Sequence, residues 1–268
     1  MKSIDQSLAE ISDIYDLYER SVQNVEHEIE FMQNTYQNLK GKRAYLYRED
    51  FCGTANSSCA WVDQGDTYYA SGIDNDGAVL NWTENNRLSN LDNKTQKRIK
   101  VIESDVLTMR PIEVDILSAF NFSYFCFHTR DLLLSYFVRS FNTLKYDGVF
   151  FLDLFGGSEA HQELTEKTEH DEFTYIWRQS KFHPLTNHIK CSISYDFSDG
   201  SSINDAFLYN WRLWSAPEIK ELLLQAGFKN VTFFWEGEDE EGEGNGEFTP
   251  NTTGEADLAW VIYITAEK

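Results

Sequence analysis

The sequence reads Arg48-Glu-Asp-Phe-Cys-Gly-Thr-Ala55 where a predicted strand passes into a predicted helix. The strand candidate covers residues 43–51 and ends at Gly53, and the helical segment covers 54–62. Small residues between a strand and a helix let the backbone come close to a ligand, with helix N–H groups nearby. The stretch therefore predicts a ligand-binding turn at the carboxyl end of a strand.

The alternation of strand and helix continues downstream of this turn. Further strands are predicted at 68–73, 99–102, 114–120 and 148–155, and helices at 76–88 and 130–144. Several of the strands are nearly continuous apolar runs, which is typical of strands buried on both faces. We therefore expect a mostly parallel sheet with helices on both sides, whose ligands bind beyond the carboxyl ends of the strands.

Polar side chains follow the ends of these strands. Asp74 ends the second strand, Asp105 follows the third and Asn121 follows the fourth. A carboxylate after the second strand can accept hydrogen bonds from ribose hydroxyls. Structural roles stay open for all three residues: Asp74 as a helix N-cap, Asp105 as a cap of the next turn, and Asn121 as an ordinary turn residue.

Both ends of the chain have a different pattern. Residues 5–40 read as a helix that is apolar on one face. Three aromatic-rich segments after position 164 read as antiparallel strands, and a helix then opens at Ser215 and stops at Gly227. Two last strands enclose the acidic, glycine-rich stretch 236–247, which we expect to be a mobile loop because it offers almost no apolar area to bury.

The charge of the chain excludes some partners. It has 23 Lys and Arg against 44 Asp and Glu, a formal charge of −21, which repels phosphate backbones and anionic membranes. No apolar run approaches the roughly 20 residues that span a bilayer, and the start, MKSIDQSLAE, has no apolar signal region. The four cysteines have no zinc-like spacing. We expect a cytoplasmic protein with free thiols and neither a metal site nor a nucleic-acid or membrane partner.

Together these features resemble the class I S-adenosylmethionine (SAM) dependent methyltransferases. That family's first motif is an acidic residue, any residue, and then G-x-G-x-G. Here Glu49 takes the acidic position, and Phe51, Gly53 and Ala55 take the three glycine positions. The strand–helix order and the two C-terminal strands also match, over about residues 43–160 and 214–268. With Asn121-Phe-Ser-Tyr124, the turn is also similar to that of a bacterial subgroup of such enzymes.

The resemblance implies a Rossmann-like α/β fold with a seven-stranded, mostly parallel sheet whose last strand is antiparallel. It divides the chain into an N-terminal helical cap (1–42), a SAM-binding domain (43–164 and 214–268) and an inserted antiparallel segment that covers the substrate (165–213). The implied cofactor is SAM, with S-adenosylhomocysteine as the product. The implied cofactor-binding residues are Tyr15, Tyr18, Arg48, Glu49, Phe51, Gly53, Ala55, Asp74, Asn75, Asp105, Val106 and Asn121.

Some of these residues have competing interpretations. Arg48 is either a partner of the methionine carboxylate of SAM or a surface residue at a strand end. Tyr15 and Tyr18 are either a lid over the cofactor or anchors in the core. The catalytic residues are unknown. His128 and Tyr124 are candidates for a base, although a helix N-terminus and aromatic packing explain them equally well.

Three functions stay open. The first is methyl transfer to a small-molecule acceptor beneath the aromatic inserted segment, whose aromatic residues are otherwise the core of a β layer or a dimer contact. The second is a nucleic-acid base methyltransferase, against which the charge of −21 argues. The third is a non-catalytic SAM-binding protein. A homodimer is a further possibility.

Overall fold

Helices and strands alternate along the chain in the computed structural model, which describes residues 6–238 and 244–268. The helices are α1 (Leu8–Ile11), α2 (Ile14–Val22), α3 (Val25–Lys40), α4 (Asn56–Asp63), α5 (Gly77–Asn86), α6 (Asn93–Gln96), α7 (Arg130–Thr143) and α8 (Ala216–Ala226). The strands are β1 (Leu46–Asp50), β2 (Tyr69–Asp74), β3 (Ile99–Glu103), β4 (Val114–Ala119), β5 (Leu144–Gly156), β6 (Leu164–Glu169), β7 (Phe173–His183), β8 (His188–Phe197), β9 (Ser202–Arg212), β10 (Asn230–Glu238), β11 (Gly244–Asn251) and β12 (Trp260–Glu267).

The main sheet has eight strands in the order β11-β10-β12-β5-β4-β1-β2-β3. Strands β3, β2, β1, β4 and β5 run parallel, and β12 lies antiparallel between β5 and β10. The mostly parallel sheet with an antiparallel last strand is therefore confirmed. It carries one strand more than the seven expected, because β11 pairs with β10 at the edge.

Helices cover both faces of this sheet, as expected for strands that are apolar on both sides. On one face, Met32 of α3 and Trp61 of α4 pack with Tyr47 in one buried cluster. On the other, Phe137 of α7 and Leu223 of α8 belong to a second cluster. Helix α8 begins and ends as the sequence predicts, with a capping box at Ser215 and a left-handed Gly227.

The N-terminal segment is three helices and not one, which corrects the prediction for 5–40; residues 1–5 lie outside the described part. Ser12 is the C-cap of α1, and Asp13 is the N-cap of α2, where its carboxylate accepts a hydrogen bond from the N–H of Tyr15. Polar residues that cap a helix compete with its continuation. Helix α3 packs on the main sheet, whereas Leu17 of α2 is buried with Phe173 and Tyr195.

A second sheet follows β5, with four antiparallel strands in the order β6-β7-β8-β9. Three of them match the predicted segments. Strand β6 was not predicted, because nearly all of its residues are exposed and it has no alternating apolar pattern. The division of the chain into domains at 42, 164 and 213 stays a prediction.

The acidic stretch 236–247 is not simply a loop, and that prediction was wrong at both ends. Glu236 lies within β10, and β11 begins at Gly244; positions 239–243 lie outside the described residues. The N–H of Gly246 donates to Oε1 of Glu236 at 2.9 Å. Backbone pairing needs no apolar side chains, and so composition alone gave no sign of this hairpin.

Candidate functional site

The turn after β1 has alternate residues in the left-handed conformation. The φ angles of Phe51, Gly53 and Ala55 are 60°, 49° and 54°. Residues other than glycine rarely adopt this backbone conformation. Strained backbone of this kind clusters at functional sites. The three positions are those that glycine occupies in the methyltransferase motif. The turn therefore keeps a conformation that glycine favours, although two of its three positions carry side chains.

Two carboxylates hold this turn in place. Oε2 of Glu49 accepts hydrogen bonds from the N–H and hydroxyl of Ser58, at 2.9 and 2.6 Å. Oδ2 of Asp74 accepts from the N–H of Gly53 at 2.8 Å. Asp76, and not Asp74, is the N-cap of α5. Asp74 thus joins the end of β2 to the turn after β1 and keeps unused lone pairs.

A cavity of about 370 Å³ opens where the parallel strands end. We call it the strand-end cavity. Helix α2, the turns after β1, β2 and β4, and strand β9 all contribute to its walls. Eight of the residues expected at the cofactor line it: Tyr15, Tyr18, Glu49, Phe51, Gly53, Asp74, Asn75 and Asn121.

Features of this cavity fit a bound ligand with hydrogen-bond donors. A Cβ placed on Gly53 meets no atom within 4 Å, so the backbone here faces open space. The hydroxyl oxygen of Thr54 is buried and has no hydrogen-bond partner. The lining includes Glu49, Asp50, Asp74 and Asp76. Among the described residues, no lysine, arginine or histidine lines it.

Arg48 does not line the cavity, which corrects the expectation that it binds the carboxylate of a cofactor. Successive side chains of a strand point to opposite faces, and Arg48 lies on the face of β1 that packs on α7. Its Nε donates to Oδ1 of Asp50 at 2.7 Å, and Nη1 donates to the hydroxyl of Thr143 at 3.4 Å. The side chains of Arg48 and Asp50 are both buried.

Three other expected residues also lie outside the lining. Ala55 is fully buried beneath the turn, and Val106 belongs to the core that includes α7. Asp105 is exposed, and its carboxylate accepts from the N–H of Leu107 at 2.8 Å. The structural role of Asp105 as a turn cap, the alternative raised from the sequence, therefore describes its contacts in the structure.

Neither candidate for a catalytic base reaches a cavity. Tyr124 is fully buried and donates its hydroxyl proton to the carbonyl of Asp153 at 2.7 Å. Burial raises the pKa of Tyr124 well above its usual value, so the phenol stays protonated. Nε2 of His128 lies 2.6 Å from the carbonyl oxygen of Asn210. Aromatic packing and a backbone contact thus account for both residues.

A second cavity, of about 440 Å³, lies between the two sheets. We call it the intersheet cavity. Much of its wall is aromatic, from Phe122, Phe155, Tyr175, Trp177, Tyr209, Trp211 and Trp260. The two cavities share the four residues Tyr18, Asn121, Tyr209 and Trp211. The two cavities are therefore neighbours that border the same four side chains.

Asp153 positions part of the shared wall. Asn121 and Phe122 have φ angles of 57° and 55°, and their N–H groups donate to the carboxylate of Asp153 at 2.6 and 2.9 Å. Burial raises the pKa of Asp153 to about 7 despite these hydrogen bonds. The role of Asn121 as a turn residue and its place in the cavity wall are thus compatible.

Other buried carboxyl groups lie near the turn. Burial raises the pKa of Glu49 to about 7 and that of Glu28, on α3, to about 8. The charges of Asp153 and Glu49 add to the shift at Glu28. The hydroxyl of Ser57 donates to Glu28 at 3.4 Å. Part of this acidic cluster is therefore protonated at neutral pH.

Sequence reasoning missed several residues that line the site. Thr54 lies inside the quoted turn, but a threonine there has no distinctive signal. Tyr209 and Trp211 were noted only as two of many aromatic residues. Their spacing of two on one strand does indicate a shared face, but which face borders the cavity depends on how the two sheets pack. Burial raises the pKa of Tyr18 and Tyr209 above the usual value of a tyrosine. Both phenols therefore stay protonated at neutral pH and can donate hydrogen bonds.

Across residues 6–238 and 244–268, no group of three or more histidine, cysteine or acidic side chains is placed to hold a metal ion. None of the helices in those ranges combines the length and the apolar character that crossing a bilayer requires.

Comparison with known proteins gives structural matches only. No protein-family model matches the sequence, and the search of curated proteins found no match. A SAM-dependent methyltransferase from Clostridium acetobutylicum is similar over 94% of this chain and 96% of its own, with 17% identity and a TM-score of 0.66.

Two further structures match over nearly the whole length. An amino pentose methyltransferase from Micromonospora echinaspora covers 96% of this chain and 98% of its own, with 12% identity and a TM-score of 0.65. A sugar N-methyltransferase from Streptoalloteichus covers 99% and 96%, with 14% identity and a TM-score of 0.62. Since both sheets are included in this overlap, the chain has the fold of the SAM-dependent methyltransferases.

Proposed function

We propose that the protein is an enzyme that transfers a methyl group from SAM to a small-molecule acceptor. The observation that carries this proposal is the wall shared by the two cavities, because a two-substrate transfer needs two sites that meet. The strand-end cavity has the position that ligands take in open α/β sheets. The second sheet supplies much of the wall of the intersheet cavity, whose concave, aromatic lining suits a small molecule.

The strand-end cavity is the proposed cofactor site. Gly53 leaves room for the ligand, and Asp74 accepts hydrogen bonds from the ribose hydroxyls. Glu49 holds the turn through Ser58. Aromatic faces attract a positively charged sulfonium. The residues proposed to contact the cofactor are Tyr15, Tyr18, Phe51, Gly53, Asp74, Asn75 and Asn121, with Glu49 in a positioning role.

When bound, SAM supplies a methyl group on a positively charged sulfur that carries its own leaving group. The work of this chain is then to orient the acceptor and to exclude water. Tyr18, Tyr209 and Trp211 do this from the shared wall. No side chain is proposed as a catalytic base.

Two observations favour a small acceptor over nucleic acid. The formal charge is −21, and no basic side chain among the described residues lines either cavity. Similar structures include one solved with SAM bound that acts on an amino pentose, and a glycopeptide N-methyltransferase solved with SAM. These neighbours support SAM and a small acceptor. A non-catalytic SAM-binding protein is the alternative, and an intersheet cavity that meets the cofactor site favours the enzyme.

Calorimetric titration with S-adenosylhomocysteine tests the cofactor site. Asp74→Asn should lower affinity by about 1 to 3 kcal/mol, because the charge is lost and one of the two acceptor oxygens becomes an NH2 donor. Asp92→Asn is the matched control, since Asp92 also accepts a backbone N–H, at 2.8 Å, but lines neither cavity. Equal affinities in wild type and Asp74→Asn would remove Asp74 from the site. Absence of binding by the wild type would contradict the proposed function itself.

A cytoplasmic location is part of this proposal. All four cysteines are free, which suits a reducing compartment. Light scattering at several protein concentrations tests whether the chain forms a homodimer. The helical segment 1–42 as a cap and the segment 165–213 as a substrate cover are proposed units, and the aromatic wall that β7 and β9 give to the intersheet cavity supports the second.

A further inference from the structure

The most informative polar group outside the cofactor cavity is the side-chain amide of Gln179. It lies on β7, lines the intersheet cavity and is only 4% exposed. Its Nε2 donates to two backbone carbonyls, those of Glu159 at 3.1 Å and Gln162 at 3.3 Å. These bonds fix the orientation of the amide, because a carbonyl oxygen in that place would face two other acceptors.

The other end of this amide has no partner. Oε1 of Gln179 is buried and accepts no hydrogen bond. A buried acceptor without a donor is unfavourable, and it is explained if a ligand supplies the donor. The wall of the intersheet cavity therefore holds a fixed, buried acceptor that an N–H or O–H group of a ligand would satisfy.

The charge of the intersheet cavity indicates which kind of hydrogen-bond donor it favours: cationic, neutral or anionic. Glu159, Glu166 and Glu236 line it, and none of them forms an ion pair with another described residue. No lysine, arginine or histidine of the described chain lines it. Trp177 and Trp260 supply π faces, which attract cations. An acidic, aromatic cavity with an unused acceptor favours a positively charged donor over a neutral or anionic one.

We propose that the intersheet cavity binds a protonated amine and that its nitrogen is the methyl acceptor. This inference rests on the proposed function and names its substrate class. The ammonium group first loses one proton to solvent. The freed lone pair then forms the N–C bond, the methyl–sulfur bond breaks, and its electron pair stays on sulfur. The products are an N-methylammonium ion, S-adenosylhomocysteine and the released proton.

Ligand-observed NMR titration tests the selectivity without turnover. The probes are benzylamine, benzyl alcohol and phenylacetate, which share a ring and differ in charge at neutral pH. Benzylamine should bind at least about tenfold more tightly than benzyl alcohol, since the cation gains from carboxylates and π faces. Phenylacetate should bind more weakly than either. Equal binding of benzylamine and benzyl alcohol would overturn the proposal.

Variants assign the binding to this cavity. Glu166→Gln and Glu236→Gln should each weaken benzylamine binding by about threefold to tenfold, as loss of one nearby charge predicts. Glu163→Gln is the control, because Glu163 pairs with Lys181 and does not line the cavity. Benzylamine binding that is unchanged in both cavity variants would contradict the assignment.

The same protein samples separate this inference from the proposed function. S-adenosylhomocysteine affinity, measured by calorimetry, should not change in Glu166→Gln or Glu236→Gln. If S-adenosylhomocysteine binds but benzylamine is not preferred, the amine substrate is rejected and the proposed methyltransferase function stands. If benzylamine is preferred but S-adenosylhomocysteine does not bind, the proposed methyltransferase function is rejected and the intersheet cavity is a cation-binding site.

Discussion

Arg48 and Asp50, both on β1, form a buried ion pair in which Nε and Oδ1 lie 2.7 Å apart. The pair lies on the face of β1 that packs on α7. The hydroxyl of Tyr136 adds a hydrogen bond of 3.0 Å to the same carboxylate. The pair lies on the opposite face of the strand from Glu49 and beneath the turn that borders the strand-end cavity. It fixes two of the last three residues of β1, Arg48 and Asp50, and thereby the start of that turn.

Arg48→Met should destabilise the fold by about 3 to 5 kcal/mol, because it leaves the buried carboxylate of Asp50 without a counter-charge. Urea denaturation measures this change. The double variant Arg48→Met, Asp50→Asn should be more stable than the single variant, since the unpaired charge is then gone. S-adenosylhomocysteine affinity of the folded protein should stay as in the wild type. A loss of S-adenosylhomocysteine affinity in the folded single variant would mean that Arg48 does contribute to cofactor binding.

Gly53→Ala should reduce both stability and cofactor affinity. The left-handed backbone costs about 1 kcal/mol with a side chain, and the new methyl group points into the open space of the cavity. Gly200→Ala is a matched control, because Gly200 has a φ of 82° and also has no atom within 4 Å of an added Cβ, but it lies in the turn between β8 and β9. Thermal unfolding should show similar losses, whereas only Gly53→Ala should weaken S-adenosylhomocysteine binding, by about tenfold. Equal binding by the two variants would mean that the ligand does not approach Gly53.

Stability should fall as the pH rises from about 5 to about 8.5. The pKa of Glu28 is raised from 4.5 to about 8, chiefly by burial. The folded protein thus holds a proton that the unfolded chain has released in this window, and so the free energy of unfolding decreases with pH. Glu49 and Asp153, each with a pKa of about 7, act in the same direction.

Glu28→Gln tests this dependence. The amide keeps a polar partner for Ser57 and carries no charge. It should stabilise the protein at pH 8.5 by on the order of 2 kcal/mol and have little effect at pH 5. Glu26→Gln, on the exposed side of the same helix, controls for the general benefit of removing negative charge. Chemical denaturation at the two pH values is the measurement. Equal pH profiles for the wild type and Glu28→Gln would contradict the assignment to Glu28.

Tyr15→Ala should weaken cofactor binding more than it destabilises the protein. The Tyr15 ring lies 5.3 Å from the ring of Trp82 and 6.3 Å from that of Phe207, and it covers the strand-end cavity without being fully buried. We expect a loss of S-adenosylhomocysteine affinity of about 1 kcal/mol or more, since an aromatic contact is removed. Tyr146→Ala, at a tyrosine that is 83% exposed, is the control. Undiminished affinity in Tyr15→Ala would reject the lid role.

The sequence alone was sufficient for the parts of the fold that local chemistry determines. Gly53 and the acids at the strand ends indicated the turn, and the apolar runs indicated a buried parallel sheet. The face on which Arg48 lies depends on strand register, which a single side chain does not reveal. Tyr124 and His128 follow β4 as expected for site residues, but their hydrogen bonds to distant carbonyls turn them away from the cavities. Such long-range packing has no local signal.

The wall shared by the two cavities also sets when the protein can first bind its ligands. Tyr18 is synthesised early, Asn121 midway, and Tyr209 and Trp211 near the end of the chain. A nascent or truncated chain that lacks β9 includes the residues of the turn and Asp74, but it lacks the Tyr209 and Trp211 side chains that line both cavities. We therefore expect ligand binding to stabilise only chains that include β9. Protection of ribosome-bound chains from protease by S-adenosylhomocysteine should not begin before β9 has emerged, so the ligand distinguishes chains that include β9 from shorter ones.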